Sequence, residues 1–194
     1  MSETSISLLE SLRNDPNETA WERTVQLYVP LIRSWLKRYA VAEQDIEDLV
    51  QDVLAIVIRK MPEFRKQPQI GAFRRWLRNI TINCLREFWR AQKYRPKLAA
   101  PGEFSDMLDQ LANCDSAMSK LWDREHDDHV TRHLLEMIRP RFEARTWQAF
   151  QRVVLEGAPV DQTAEELGMT ANAVFIAKSR VLQMLRKAGE GLIE

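Results

Sequence analysis

Residues 160–174 read Val160-Asp-Gln-Thr-Ala-Glu-Glu-Leu-Gly-Met-Thr-Ala-Asn-Ala-Val174, and the reading of the whole chain starts there. Asp161 is placed to cap a short helix, Gly168 to supply the turn after it, and Thr170 to cap a second helix. Ala164 is small where two helices have to approach closely, and Met169 and Val174 are expected to fill the core beneath the turn. This is the pattern of a helix-turn-helix, whose second helix can lie in the major groove of duplex DNA. A plain helical hairpin inside a bundle has the same local pattern.

Outward from this stretch the chain keeps reading as helix. Six glycines and 8 prolines in 194 residues, 45% hydrophobic and 29% charged, argue for helices with a core rather than for sandwiches or barrels. Apolar positions at three- and four-residue steps predict helices over about Thr19–Tyr39 (with a kink at Pro30), from Asp45 past Met61, and over Ala72–Gln92. Others follow over Ala117–Ile138, from Glu143 or Arg145 to Leu155, over Asp161–Leu167 and over Ala171–Lys187. Between them Tyr94–Asp115 carries Pro96, Pro101, Gly102 and scattered acids, which predicts a linker with at most a short helix. The fold class is therefore all-α: two small helical domains, 6–95 and 121–194, joined by an acidic linker at 96–120.

A net charge of zero conceals a strong segregation. Residues 59–97 hold 12 Lys/Arg against 2 Asp/Glu, between an acidic block at 1–58 (5 against 10) and another at 98–129 (2 against 8). Such a block marks a polyanion-binding surface or a solvated helix face. On the helix beginning near Asp45, Asp48, Gln51 and Asp52 share one exposed face opposite Ile46, Leu49, Val50, Val53, Val57 and Met61. On the Ala72–Gln92 helix, Phe73, Trp76, Leu77, Ile80, Cys84 and Phe88 are expected inside. Arg75, Arg78, Asn79, Ile82, Asn83, Arg86, Arg90 and Lys93 are expected outside, and Trp89 lies near the boundary between the faces.

Three motifs in order resemble the RNA polymerase sigma factors of the extracytoplasmic-function (ECF) type. Asp45-Ile-Glu-Asp-Leu-Val-Gln-Asp-Val-Leu54 resembles region 2.2, which implies docking of Asp48, Gln51 and Asp52 on the clamp helices of the polymerase β′ subunit. The stretch from Gly71 onward is similar to regions 2.3 and 2.4. There the resemblance implies capture of the unpaired −10 strand, with a flipped base pinched by the 66–70 loop. It would use Arg75, Asn79, Asn83, Arg86, Arg90 and Lys93, the asparagines at base edges and Arg86 and Arg90 at phosphates. Trp147-Gln-Ala-Phe150 through Arg186-Lys187 is similar to region 4, which implies −35 recognition by Thr170, Phe175, Ile176, Lys178, Ser179 and Arg180. Arg180 suits a guanine and Lys178 a phosphate. Two positions depart from the family pattern: Phe175-Ile-Ala177 stands where early cations are common, and Thr163 stands where a larger apolar residue is usual.

The resemblance further implies a subunit without catalysis or cofactor. Its partners would be core RNA polymerase (β′ clamp helices and β flap), promoter DNA and an anti-sigma factor. Two unpaired cysteines, Cys84 and Cys114, and the absence of a signal-peptide pattern predict a cytoplasmic protein. A stand-alone helix-turn-helix regulator is the alternative. A nuclease using Asp45, Glu47, Asp48 and Asp52 is a weaker one, because these acids spread around their helix. His126, His129 and His133 could share a helical face. They are only three obvious ligands where a closed zinc site takes four, so they are read as an exposed polar face at the start of the second domain.

Overall fold

The computed structural model of the chain describes residues 12, 18–39, 41–64, 71–92 and 101–193. Among these the fold is all-α, with eight α-helices and no strand. They are α1 (Glu18–Arg38), α2 (Glu43–Phe64), α3 (Ala72–Gln92), α4 (Pro101–Ala112), α5 (Ala117–Ile138), α6 (Ala144–Phe150), α7 (Val160–Leu167) and α8 (Ala171–Ala188). A 3₁₀ turn, Arg139–Arg141, precedes α6, and a π-helical turn, Gln151–Leu155, follows it. The chain divides into two compact units that meet in sequence at Val130 and Thr131.

The first unit is built on α1, α2 and α3. Ala20, Thr24, Leu27, Tyr28, Leu31, Ile32, Trp35 and Leu36 recur at three- and four-residue steps, so one stripe of α1 is buried. The Thr24 hydroxyl donates to the Ala20 carbonyl at 2.8 Å, which lets a polar residue sit in that stripe. On α2, Ile46, Leu49, Val50, Val53, Val57, Met61 and Phe64 are buried in the same way. Tyr28, Phe64, Phe73 and Trp76 form one chain of ring contacts, with neighbouring centroids 4.8–5.5 Å apart, that ties the three helices together.

Helix α3 is buried on two faces, and this corrects the sequence reading. Besides Phe73, Leu77, Ile80 and Cys84, it buries Arg78, Thr81, Ile82 and Leu85. Arg78 and Ile82 were expected outside. Both lie inside because α4 and the first half of α5 cover that side. Arg78, only 1% exposed, donates to Asp123 Oδ1 at 2.8 Å and lies within 3.4 Å of the Ser119 carbonyl and 3.3 Å of Cys114 Sγ. Arg74 pairs with Asp123 and Asp127. Two acids of α5 therefore neutralise two guanidiniums of α3, and Arg78 can occupy a core position because half-buried Asp123 pairs with it there.

Residues read as a linker and as the start of the second domain thus belong to the first unit. α4 buries Leu108 and Leu111, and Trp122 stacks on Trp35 at 3.3 Å with the rings 24° apart. The histidines are not an exposed face. His126 is fully buried: its Nδ1–H donates to Asp127 at 3.0 Å, and its Nε2 takes the Tyr28 hydroxyl at 3.3 Å. Desolvation lowers the His126 pKa, outweighing the opposite pull of Asp127, so the ring is held neutral. His129 Nε2–H donates to the Leu27 carbonyl at 2.7 Å. No group of three or more metal-ligating side chains occurs among the described residues.

The second unit is the helix-turn-helix with its support. Ala149, Ala164, Val174 and Ala177 form its buried centre, with Val153, Val160, Leu167 and Met169 packed around it. Gly168 sits at φ +58°, the left-handed conformation that ends α7. Thr170 caps α8, its hydroxyl accepting from the Ala173 N–H at 3.1 Å. Asp161 does not cap α7. It lies in the first turn, Pro159 holds the cap position, and no side chain bonds there. Thr163 is fully buried, and its hydroxyl donates to the Pro159 carbonyl at 2.9 Å, so a Thr can stand where a larger apolar residue was expected.

Candidate nucleic-acid interface

On α2 the stripe that buries Leu49, Val50 and Val53 turns Asp48, Gln51 and Asp52 outward. All three are exposed, and neither carboxylate enters an ion pair among the described residues. Their neighbour Glu47 is already committed, accepting from Arg33 at 2.8 and 2.9 Å. Burial, with Asp52 as the next contributor, pushes the Cys84 thiol up to about 11, which makes it an inert core residue.

The outer edge of α3 presents Arg75, Asn79, Asn83 and Arg90 to solvent and Arg86 half-exposed. Lys93 and the 66–70 loop lie outside the described residues. Three of the α3 residues face a second set, on α2, that the sequence reading did not count among the site residues. Ile56, Arg59 and Lys60 of α2 and Ile80, Asn83, Arg86, Glu87 and Arg90 of α3 line one open groove of about 270 Å³. Four cationic side chains and one carboxylate give this groove an excess of positive charge. A groove walled by low-dielectric helices focuses such a field outward. The signal for Arg59 and Lys60 was present in the sequence, because the basic block starts at residue 59.

Arg86 also touches the segment after α3. Its Nη2 lies 2.7 Å from Asp109 of α4, with both side chains partly or largely exposed. An ion pair in that setting contributes at most about 1 kcal/mol and breaks readily.

In the second unit, α8 buries Val174, Ala177 and Val181 and turns Phe175, Ile176, Ser179 and Arg180 outward; Lys178 lies at the boundary. Arg145 of α6 braces the turn, donating to the Leu167 carbonyl at 2.9 Å and to the Gly168 carbonyl. Arg152 of the π turn bonds both Glu156 and Glu166; hydrogen bonds from Arg152 and Gln151 hold the Glu156 carboxyl below the usual range, and those from Gln162 and Arg152 do the same for Glu166.

Residues 24–95, from within α1 to just beyond α3, match the family model of Sigma-70 region 2. The match gives the α1–α3 part of the chain a likeness to sigma-70 region 2. No curated protein matches the chain. No described helix is long and apolar enough to cross a membrane.

Proposed function

We propose that this chain is a sigma factor of the ECF type, which binds core RNA polymerase and directs it to promoters by recognising −10 and −35 elements. The observation that carries this reading is the coincidence of the Sigma-70 region 2 match with a cationic groove between α2 and α3, two of the helices it covers. Asp48, Gln51 and Asp52 form the polymerase-docking patch, acidic and free to meet a basic partner helix. Arg75, Asn79, Asn83, Arg86 and Arg90 form the −10 face, to which the groove adds Arg59 and Lys60. Strand opening here is a binding process: cations hold the backbone of the separated strand and side-chain amides meet its base edges. Thr170, Phe175, Ile176, Lys178, Ser179 and Arg180 form the −35 face, and the core enzyme supplies all catalysis. The reading also implies an anti-sigma partner that masks the docking surfaces in a cytoplasmic protein.

Transcription of fragmented source genomic DNA by core RNA polymerase, with and without the chain, tests this. Discrete new start sites preceded by a shared two-part sequence are expected. Unchanged transcription, with tight binding of the chain alone to a palindromic duplex, would instead identify a stand-alone regulator.

A further inference from the structure

At the start of α8 the outward side chains are apolar where a DNA-reading helix would ordinarily carry polar groups. Phe175 is 54% exposed and Ile176 44% exposed, among the most exposed large apolar side chains of the described residues. Their position is fixed by the fold. Val174, Ala177 and Val181 face the core, so the helical repeat turns Asn172, Ile176, Ser179 and Gln183 away from it, flanked by Phe175 on one side and Arg180 on the other. Thr170 fixes where the helix begins, and Arg145 anchors the turn before it.

A helix-turn-helix meets base edges with the first turns of its second helix. Phe175 and Ile176 lie there, whereas Lys178 and Arg180 follow a turn later and make no ion pair among the described residues. Neither apolar side chain can exchange a hydrogen bond with a base. In the major groove one apolar group is on offer, the 5-methyl of thymine. An exposed apolar pair with unpaired cations beside it fits a surface that is apolar at its centre and polyanionic at its edge. That describes a thymine-bearing groove flanked by phosphates.

Resting on the −35 role proposed above, we infer that Phe175 and Ile176 select thymine through its methyl group, making this chain's upstream element thymine-containing at the positions they meet. Burying one methyl contributes a factor of about four in affinity.

The test uses the full chain assembled with core RNA polymerase. Binding sites are selected from a pool of duplexes with a randomised segment. Each thymine in the selected upstream element is then replaced singly by uracil, which lacks only the methyl. Wild-type holoenzyme should lose about fourfold at one or two adjacent positions. The Phe175→Ala, Ile176→Ala double variant should bind the thymine and uracil duplexes equally. Both changes are at exposed helical sites and put in a strong helix former, so the fold should be kept. Equal wild-type binding of the two duplexes, or a double variant that still discriminates, would overturn the inference while leaving the −35 role standing. Selection of no upstream element would overturn that role and the inference together. A double variant that reads DNA normally but no longer assembles with core would reassign the pair to a polymerase contact.

Discussion

Trp122→Ala is the substitution that most sharply probes how the first unit is built. Trp122 lies on α5, in a stretch whose composition reads as the edge of a separate domain, yet it is 1% exposed and stacked on Trp35 of α1. Tyr39 follows on with a centroid separation of 6.3 Å. Truncating a buried Trp removes its transfer free energy and leaves a cavity, about 3–5 kcal/mol together. A stacked partner places the change in the upper half of that range, about 4 kcal/mol. Ordinary domains have only about 5–15 kcal/mol in total, so a loss of about 4 kcal/mol raises the open population of the unit roughly a thousandfold. Amide hydrogen exchange resolved by segment is the assay. Protection of α1 should fall by up to that factor, while α8 in the other unit stays unchanged. Trp122→Phe should do much less, about 1–2 kcal/mol, because it keeps an aromatic ring and deletes an indole N–H that has no hydrogen-bond partner. Unchanged α1 protection in Trp122→Ala would refute the placement of α5 in this core.

Three further outcomes follow from the same geometry. His126 is buried neutral with its pKa lowered, facing Tyr28 from α1, Arg74 from α3, and Asp123 and Asp127 from its own helix. The unfolded chain therefore takes up a proton below about pH 6.5 that the folded unit resists, so stability is full above that pH and declines as pH falls. The urea midpoint of the first unit should drop between pH 7.5 and 5.5, and His126→Asn should flatten that slope; an identical slope in the variant would contradict it. Gly168→Ala forces a left-handed side chain, and its Cβ would lie 3.2 Å from Arg145 Nη2. It should lower the stability of the second unit by about 1–2 kcal/mol. Gly157→Ala, also at positive φ but with nothing within 4 Å, should lower it less, and equal losses would show that the Arg145 brace contributes nothing. Arg86→Ala with Arg90→Ala should spare polymerase binding but reduce open-complex yield. It should also flatten the dependence of log affinity on log salt for single-stranded DNA by about 1.4, or about 0.7 for each phosphate that is no longer neutralised. An unchanged yield and slope would remove the groove from strand capture.

The sequence reading succeeded where one helical repeat controls both faces. Asp48, Gln51 and Asp52 stand opposite an unbroken apolar stripe, so their exposure follows from period alone, as it does for Phe175 and Ile176 opposite Val174 and Ala177. It failed where a second layer covers a helix. Nothing near Arg78 announces Asp123, which lies 45 residues away on α5, so the guanidinium was assigned to solvent by residue type. His126 was misplaced for the same reason, because its partner Tyr28 is 98 residues distant. α4, a 12-residue helix, exceeds the short helix that the linker reading allows, because Pro101-Gly102 looks like a breaker although Pro is well tolerated in the first turn of a helix. Leu108 and Leu111, three residues apart and both buried, were the available sign. The groove at Arg59 and Lys60 escaped notice because it is formed by two helices, and a single repeat describes only one.

Core binding is the claim on which the rest depends. The purified chain is mixed with core RNA polymerase and passed through gel filtration beside an Asp48→Arg, Asp52→Arg variant of equal helical content. Both changes are at exposed positions and should leave the fold intact. Co-elution of the wild-type chain with core, and elution of the variant as free protein, is the predicted result. Co-elution of both would move the docking surface elsewhere, and elution of the wild-type chain apart from core would contradict the sigma-factor account.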